Sequence, residues 1–320
     1  MKAVIFNQIG GPEVLHIGEM PTPEPGPGQV LVKAAFAGIQ FADIGRRTGL
    51  YRGVTLPFVP GLEGSGTVVK VGNGVTAIEI GANVLAWGVQ GSYAEYFLAA
   101  EGKVATVPAT IPLELAAGIP QIFMTAWNAL MHRARLQAGE TILVQSAGNG
   151  AGIAAVQIGR HIGARIIGTA SNQAKMDAAL EAGAHDVINY LDTDFESEVM
   201  RLTDRRGVDV CLDGVGGETF RKSVRCLAPN GRMLTIGHSG GDSTLGFGAF
   251  DLSRGAVIMG GAAGLQALPG SELQQVMALL EQGALRPVPT AVFPWTEAGA
   301  AQRSIEDRQA VGKVVLRIEA

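Results

Sequence analysis

At 320 residues the chain has the length of two domains, taking roughly 150 residues per domain. A formal net charge of −4, with 17% charged residues, offers no basic face to a nucleic acid backbone, so no nucleic acid partner is expected. Two cysteines, Cys211 and Cys226, cannot build a disulfide framework or a four-cysteine zinc module; they predict buried thiols in a reducing, cytoplasmic setting, and with no apolar run near the roughly 20 residues of a membrane span, no membrane partner is expected either.

The N-terminal part reads as short strands separated by Gly and Pro turns. Val4 to Phe6, Val30 to Ala35, Gly64 to Val71 and Tyr93 to Phe97 are strand candidates, and Pro21, Pro23, Pro25 and Pro27 make a stiff extended connection between two of them. A compact all-β module follows. From about Glu114 the pattern turns helical, and Trp127, Leu130 and Met131 fall on one apolar stripe predicted to face the core.

Thr141 to Val144 is a buried strand that runs through Gly148-x-Gly150-x-Gly152 into a helix. Glycines let backbone turn tightly and approach phosphate oxygens, while the unpaired N–H groups at the helix start face the negative charge, so this turn predicts a dinucleotide pyrophosphate site. Ala154 and Ala155 allow that helix to lie close to the sheet. Further strands at Ala164 to Ala170, Val187 to Tyr190 and Val208 to Asp213, each after a helix-length interval, predict a mostly parallel sheet covered on both faces. The loops after Asp213 and after Leu234 to Gly237 should border the cofactor crevice, with Asp213 orienting backbone donors or capping a turn, and with Gly214, Gly237 and His238 at its rim.

Ala256 to Gly261 reads as an exposed edge strand that invites pairing with a second subunit. Ser271 to Gln282 reads as a helix capped by Ser271, with Leu273, Val276, Leu279 and Leu280 on one side. Gly312 to Ile318 is a strand whose natural partner is the sheet of the N-terminal module.

Choice of cofactor turns on the end of the second strand of the parallel sheet. An NAD site places an acid about 20 residues beyond the glycine turn, on the ribose hydroxyls. Here Gly168 to Lys175 contains no carboxylate, whereas Ser171 and Lys175 supply a hydroxyl and a positive charge suited to a 2′-phosphate. NADPH is therefore favoured over NADH.

With these motifs in order, the chain resembles the zinc-free quinone oxidoreductase branch of the medium-chain dehydrogenase/reductase superfamily. The resemblance spans essentially the whole chain and is carried by Gln40 to Asp43, Arg47 to Tyr51, Leu56 to Val68, Gly148 to Gly152, Gly183 to Tyr190 and Asp213 to Gly217. It implies an α/β fold: a GroES-like β-barrel-type substrate domain, residues 1–121 completed by 265–320, and a Rossmann doubly wound parallel sheet, residues 122–264, in a homodimer. It further implies that Gln40 and Tyr51 approach the nicotinamide or substrate, and that Thr125 contacts the nicotinamide side. The turn Asn149, Gly150, Ala151 and Gly152 would hold the pyrophosphate, Lys175 the 2′-phosphate, and Tyr190 would lie beside the adenosine end.

Departures from the family pattern fall at Gln40, where Asn is common, at Gly45, where a second Tyr is common, and at Asn149, where glycine is usual. Asn tolerates a positive φ if the turn requires one. Zinc-dependent relatives place Cys at the Gln40 position and His at the Leu62 position. Glu63 alone cannot make a three-ligand catalytic site, so no metal is expected and Glu63 is predicted to be a buried structural acid paired with a backbone donor or a base. An acceptor already activated by conjugation is then implied: a quinone, with an α,β-unsaturated carbonyl reductase as the rival enzyme and an NADPH-binding protein of little turnover as the rival of another class. Gln40 or Tyr51 would donate a hydrogen bond to the acceptor carbonyl, and Tyr51, Asp43 and His238 are the candidate general acids.

Overall fold

The computed structural model describes residues 1–242, 244–262 and 268–319. The chain forms two compact units, one of Met1–Gln121, Pro269–Gln282 and Pro287–Ala320, the other of Ile122–Leu268 and Gly283–Arg286. The domain boundary expected between residues 264 and 265 lies outside the described residues.

In the first unit, β1 (Lys2–Ile5) and β2 (His16–Glu19) pair antiparallel as a separate two-stranded sheet. The long strand β3 (Gln29–Gly38) is the hub of the main sheet. It pairs antiparallel with β4 (Glu63–Val71), which continues through β5 (Asn83–Trp87) to β7 (Val104–Thr106); β6 (Tyr96–Ala100) also pairs with β3. Val30, Val32, Val68, Val84 and Phe97 bury their side chains between these layers. The strand expected at Tyr93 is displaced because Tyr93 and Ala94 serve β1 instead: the Val4 N–H donates to the Tyr93 carbonyl at 2.8 Å and Ala3 bridges Ala94.

The expectation of an all-β module is corrected by α1 (Phe41–Arg47) and α2 (Leu113–Ala116). Two turns are too short to show a helical period, and α1 is held by long-range bonds. Asp43 in its first turn, where an acid is favourable, accepts the Gly61 N–H at 3.0 Å, while the fully buried Arg47 in its last turn reaches Gly10, Gln302 and Glu306.

The helix α3 (Pro120–Trp127) continues as a π-helical segment, Asn128–Ala134, which Arg135 ends in the left-handed region at φ 52°. This corrects the predicted stripe. Trp127 and Leu130 are buried, but Met131 is 37% exposed, because wider π-helical turns rotate it off the α-helical period.

In the second unit, β8 (Thr141–Val144), α4 (Gly150–Ile162), β9 (Arg165–Ala170), α5 (Gln173–Glu181), β10 (Asp186–Asn189), α6 (Phe195–Leu202), β11 (Val208–Asp213), α7 (Gly217–Arg225), β12 (Leu227–Thr235), α8 (Ala249–Leu252) and β13 (Val257–Gly260) alternate along the chain. All six strands are parallel, in the order β10-β9-β8-β11-β12-β13. Strands run outward from β8 to β10, then restart on its other side at β11, so the order reverses between β8 and β11. Ligands of open parallel sheets bind beyond the strand ends at such a reversal. Leu143, Ile167, Cys211, Phe220, Cys226 and Met233 fill one face, and both cysteines are free and buried. Ala154 and Ala155 are fully buried in α4, as small residues facing a sheet should be. Strand β13 lies at the edge, with Val257 47% exposed.

The chain closes with α9 (Gly270–Glu281), β14 (Thr290–Pro294), α10 (Ala298–Glu306) and β15 (Lys313–Arg317). Pro269, not Ser271, occupies the cap position of α9, and Met277 joins Leu273, Val276 and Leu280 as its buried residues while Leu279 is only half-buried. As the sequence implies, β15 pairs antiparallel with β3, Leu316 opposite Ala37, and β14 extends it in parallel. Among the described residues no helix is long and apolar enough to cross a membrane.

Candidate active site

At the reversal point the chain leaves β8 through Gln145-Ser-Ala-Gly-Asn into α4. Its left-handed residue is Ser146, at φ 56°, whereas Asn149 is extended at φ −94°; the positive φ that Asn149 was expected to accommodate is not required. A polar scaffold beneath the turn explains this. Gln145 accepts from the Thr169 hydroxyl at 2.6 Å and donates to Ser223 at 2.9 Å, Thr169 Oγ1 accepts the Ser146 N–H at 3.2 Å, and the Ala147 N–H donates to the Thr169 carbonyl at 2.8 Å. Neither Gln145 nor Thr169 was identified from the sequence; the signal was a glutamine and a threonine at the ends of otherwise apolar strands.

The turn glycines serve close approach. A Cβ on Gly148 would stand 2.6 Å from the Lys175 carbonyl oxygen and 2.8 Å from its Cα, and one on Gly152 would collide with the Ser146 carbonyl. Backbone therefore packs on backbone, leaving the amides of Gly150, Ala151 and Gly152 to open α4 with no intrahelical acceptor. Such amides with the helix dipole behind them suit a phosphate.

Ser171 follows β9, and Asn172 caps α5 by accepting the Lys175 N–H at 3.0 Å. Lys175 is 5% exposed and lies against Gly148, so it is a buried neighbour of the glycine turn rather than a solvated helix residue. Tyr190 enters at the end of β10, its N–H donating to the Ala170 carbonyl at 3.1 Å. The Ser171 hydroxyl and the Lys175 side chain are of the kind a phosphorylated dinucleotide takes.

Across the reversal, Asp213 is fully buried and accepts the N–H groups of Val215 at 2.9 Å and Gly216 at 3.0 Å. Burial raises its pKa, against the lowering effect of those two donors. Ser239 donates to the Gly214 carbonyl through both its N–H and its hydroxyl, at 2.9 Å each, and His238 stands where a Cβ on Gly216 would meet it at 3.1 Å. Gly214, Gly237 and His238 thus share one laced pair of loops. Thr125, 9% exposed, lies on α3.

The other expected residues belong to the first unit. Gln40, half-buried at the start of α1, donates through Nε2 to the Glu63 carboxylate. Asp43 is fully buried, accepting from the N–H groups of Gln40 at 2.9 Å and Gly61 at 3.0 Å and from the Tyr93 hydroxyl at 3.2 Å; burial raises its pKa, opposed by those amides and by Arg46. Tyr51 packs its ring on Gly45, where a Cβ would stand 2.6 Å from Cδ2, and its N–H donates to the Gly45 carbonyl at 3.0 Å. Burial raises the Tyr51 pKa, with Arg46 opposing. Glu63 is fully buried, paired with Lys313 at 2.7 Å and accepting the Gln121 N–H at 2.7 Å, so both a base and a backbone donor hold it. Lys313 was missed; its signal was a lysine opening an otherwise apolar strand.

A parallel sheet reversing at a glycine turn, in one chain with a β-rich unit completed by the C-terminal strand, defines a dehydrogenase/reductase of the medium-chain type. Residues 26–109 match the alcohol dehydrogenase GroES-like domain, and residues 182–316 match the zinc-binding dehydrogenase family. A quinone oxidoreductase of Pseudomonas aeruginosa is 33% identical over 98% of this chain and 99% of its own length. The mycobacterial protein Rv1454c complexed with NADPH superposes with a TM-score of 0.93 at 31% identity, covering 99% of this chain and 100% of that one. Escherichia coli quinone oxidoreductase complexed with NADPH gives 0.92 at 30% identity, with the same coverage. The chain belongs to the quinone oxidoreductase branch of the medium-chain dehydrogenase/reductase superfamily.

Proposed function

We propose that this protein is an NADPH-dependent quinone oxidoreductase, with residues 1–121 and 265–320 serving the acceptor and residues 122–264 the nucleotide. The observation that carries the reading is the buried Lys175 against Gly148 at the strand-order reversal, beside Ser171 and with no acid at the end of β9. When bound, NADPH supplies the hydride that reduces the acceptor. Asn149, Gly150, Ala151 and Gly152 hold the pyrophosphate by their backbone, Ser171 and Lys175 hold the 2′-phosphate, and Tyr190 flanks the adenosine. Thr125 meets the nicotinamide side, and Gly214, Gly237 and His238 rim the nucleotide.

On the acceptor side, Gln40 and Tyr51 orient the substrate. The Tyr51 phenol is protonated at neutral pH, as any tyrosine is near its ordinary value, and burial moves it further that way, so Tyr51 is the hydrogen-bond donor to an acceptor carbonyl. Asp43, with three donors on its carboxylate and no exposure, holds the α1 entrance in shape rather than giving up a proton. The buried free thiols support a cytoplasmic setting, and the open β13 edge supports a homodimer formed through it. Sedimentation at micromolar concentration tests the dimer, and a purely monomeric species refutes it.

Oxidation of NADPH by the purified protein, with a quinone and with an α,β-unsaturated ketone of matched size, tests the activity. Faster turnover of the quinone is expected. Faster turnover of the ketone would make it an alkene reductase, and tight NADPH binding without turnover of either would make it a binding protein.

A further inference from the structure

Lys313 opens β15, far in sequence from α1, yet it is 3% exposed and its ammonium lies 2.7 Å from Glu63 Oε1 and 2.5 Å from the Ile39 carbonyl. The same strand accepts the Ile39 N–H at the Val314 carbonyl, at 3.0 Å. Both backbone groups of the residue before Gln40 are thus tied to β15. The Gln40 side chain is tied as well. A carboxylate only accepts, so the amide nitrogen of Gln40 must be the group that faces Glu63, and that carboxylate oxygen is the one Lys313 fixes. Glu63 Oε2 takes the Gln121 N–H at 2.7 Å, so both carboxylate oxygens are engaged, and the Ser92 hydroxyl holds the Glu63 backbone carbonyl at 2.7 Å. The arrangement was given room: a Cβ on Gly38 would stand 2.7 Å from Glu63 Cγ, and one on Gly118 2.8 Å from Lys313 Cγ.

We propose that Lys313 and Glu63 are positioning residues that lock the Gln40 carboxamide in one orientation for hydride transfer. This rests on the reading of Gln40 as a group that touches acceptor or nicotinamide. Nε2 turned inward on Glu63 spends one of its two N–H donors there and fixes the plane of the amide, while the side chain also closes the capping box of α1 with Asp43, so the second N–H meets the ligand at a set angle. The C-terminal strand is then part of the acceptor site's machinery, acting through the carboxylate.

The test compares wild type, Lys313→Arg and the charge-balanced double variant Glu63→Gln/Lys313→Met, which removes both charges of the buried pair together and is expected to keep the fold. Small displacements of reacting groups cost up to about a hundredfold, so kcat of the double variant is expected to fall on the order of 10- to 100-fold. Its melting temperature and NADPH dissociation constant should stay near wild type, and Lys313→Arg should retain most of the wild-type rate. Wild-type kcat in the double variant would overturn the proposal. A readout independent of turnover is the Gln40 side-chain amide resonance, identified by its loss in Gln40→Met. It is expected to shift in the double variant, and an unmoved resonance overturns the lock even if the acceptor assignment were itself wrong.

Discussion

Two glycines of the second unit are expected to respond oppositely to the same added methyl group. At Gly148 an alanine Cβ would stand 2.6 Å from the Lys175 carbonyl oxygen, 2.8 Å from its Cα and 2.5 Å from its Cβ. Ordinary carbon contacts lie near 3.5 Å, so the approach is short by about 0.9 Å, and two of the three atoms are backbone that no rotamer change can move. Overpacking of this kind costs about 1–3 kcal/mol. At Gly159, inside α4, the same Cβ would meet Ile166 at 3.5 and 3.6 Å and Ile142 at 3.7 Å, which is plain van der Waals contact. Removing a helical glycine there should stabilise by about 0.4–1 kcal/mol. Calorimetry reads both, at about 2–4 °C per kcal/mol for a domain this size. Gly148→Ala should melt several degrees lower and also weaken NADPH binding, because Lys175 must shift; Gly159→Ala should melt slightly higher with binding intact. If Gly148→Ala melts at or above wild type, the close packing of the turn on α5 is wrong.

On the acceptor side, Gly45→Ala should push the Tyr51 ring off α1 and raise the acceptor KM severalfold at an unchanged NADPH dissociation constant; an unchanged KM would refute a role for that ring. Arg47→Met leaves Gln302, Glu306 and the Gly10 carbonyl without their buried partner, and urea unfolding should show a loss of about 3–5 kcal/mol, with a loss below about 1 kcal/mol contradicting the reading. Lys222 and Ser197 hold the Asp194 carboxyl at about 2, below its ordinary 3.8. A depressed folded-state pKa gives stability that is complete above the ordinary value and lost as pH falls through the folded one. The stability gap between wild type and Lys222→Met should therefore be present at neutral pH and close near pH 2, and a gap that persists there would refute it.

The parallel sheet was legible because its strands are continuous apolar runs: Val208 to Asp213 is read and observed with the same bounds. The first unit was less so. Helix α1 owes its existence to Asp43 and Arg47 bonding across the chain, and no seven-residue pattern reveals that. The glycine turn was found from sequence, but its geometry was not. Thr169, from the neighbouring strand, holds the Ser146 N–H, so the left-handed turn falls on a serine while the glycines answer to crowding by Lys175 and Ser146. Similarly, the burial of Glu63 was foreseen from the absence of other metal ligands, whereas its partner Lys313 enters from the last strand, a pairing set by β3–β15 register rather than by local pattern.

On the proposed function, Ser171, just after β9, and Lys175, in the first turn of α5, select NADPH as the hydride donor for a quinone. The test is a comparison of initial rates of quinone-dependent oxidation of NADPH and of NADH, for wild type and Lys175→Ala side by side. Wild type should prefer NADPH, and the variant should lose that preference by a weaker hold on NADPH with little change for NADH. Equal use of the two nucleotides by wild type, or a preference that survives in the variant, would contradict the account.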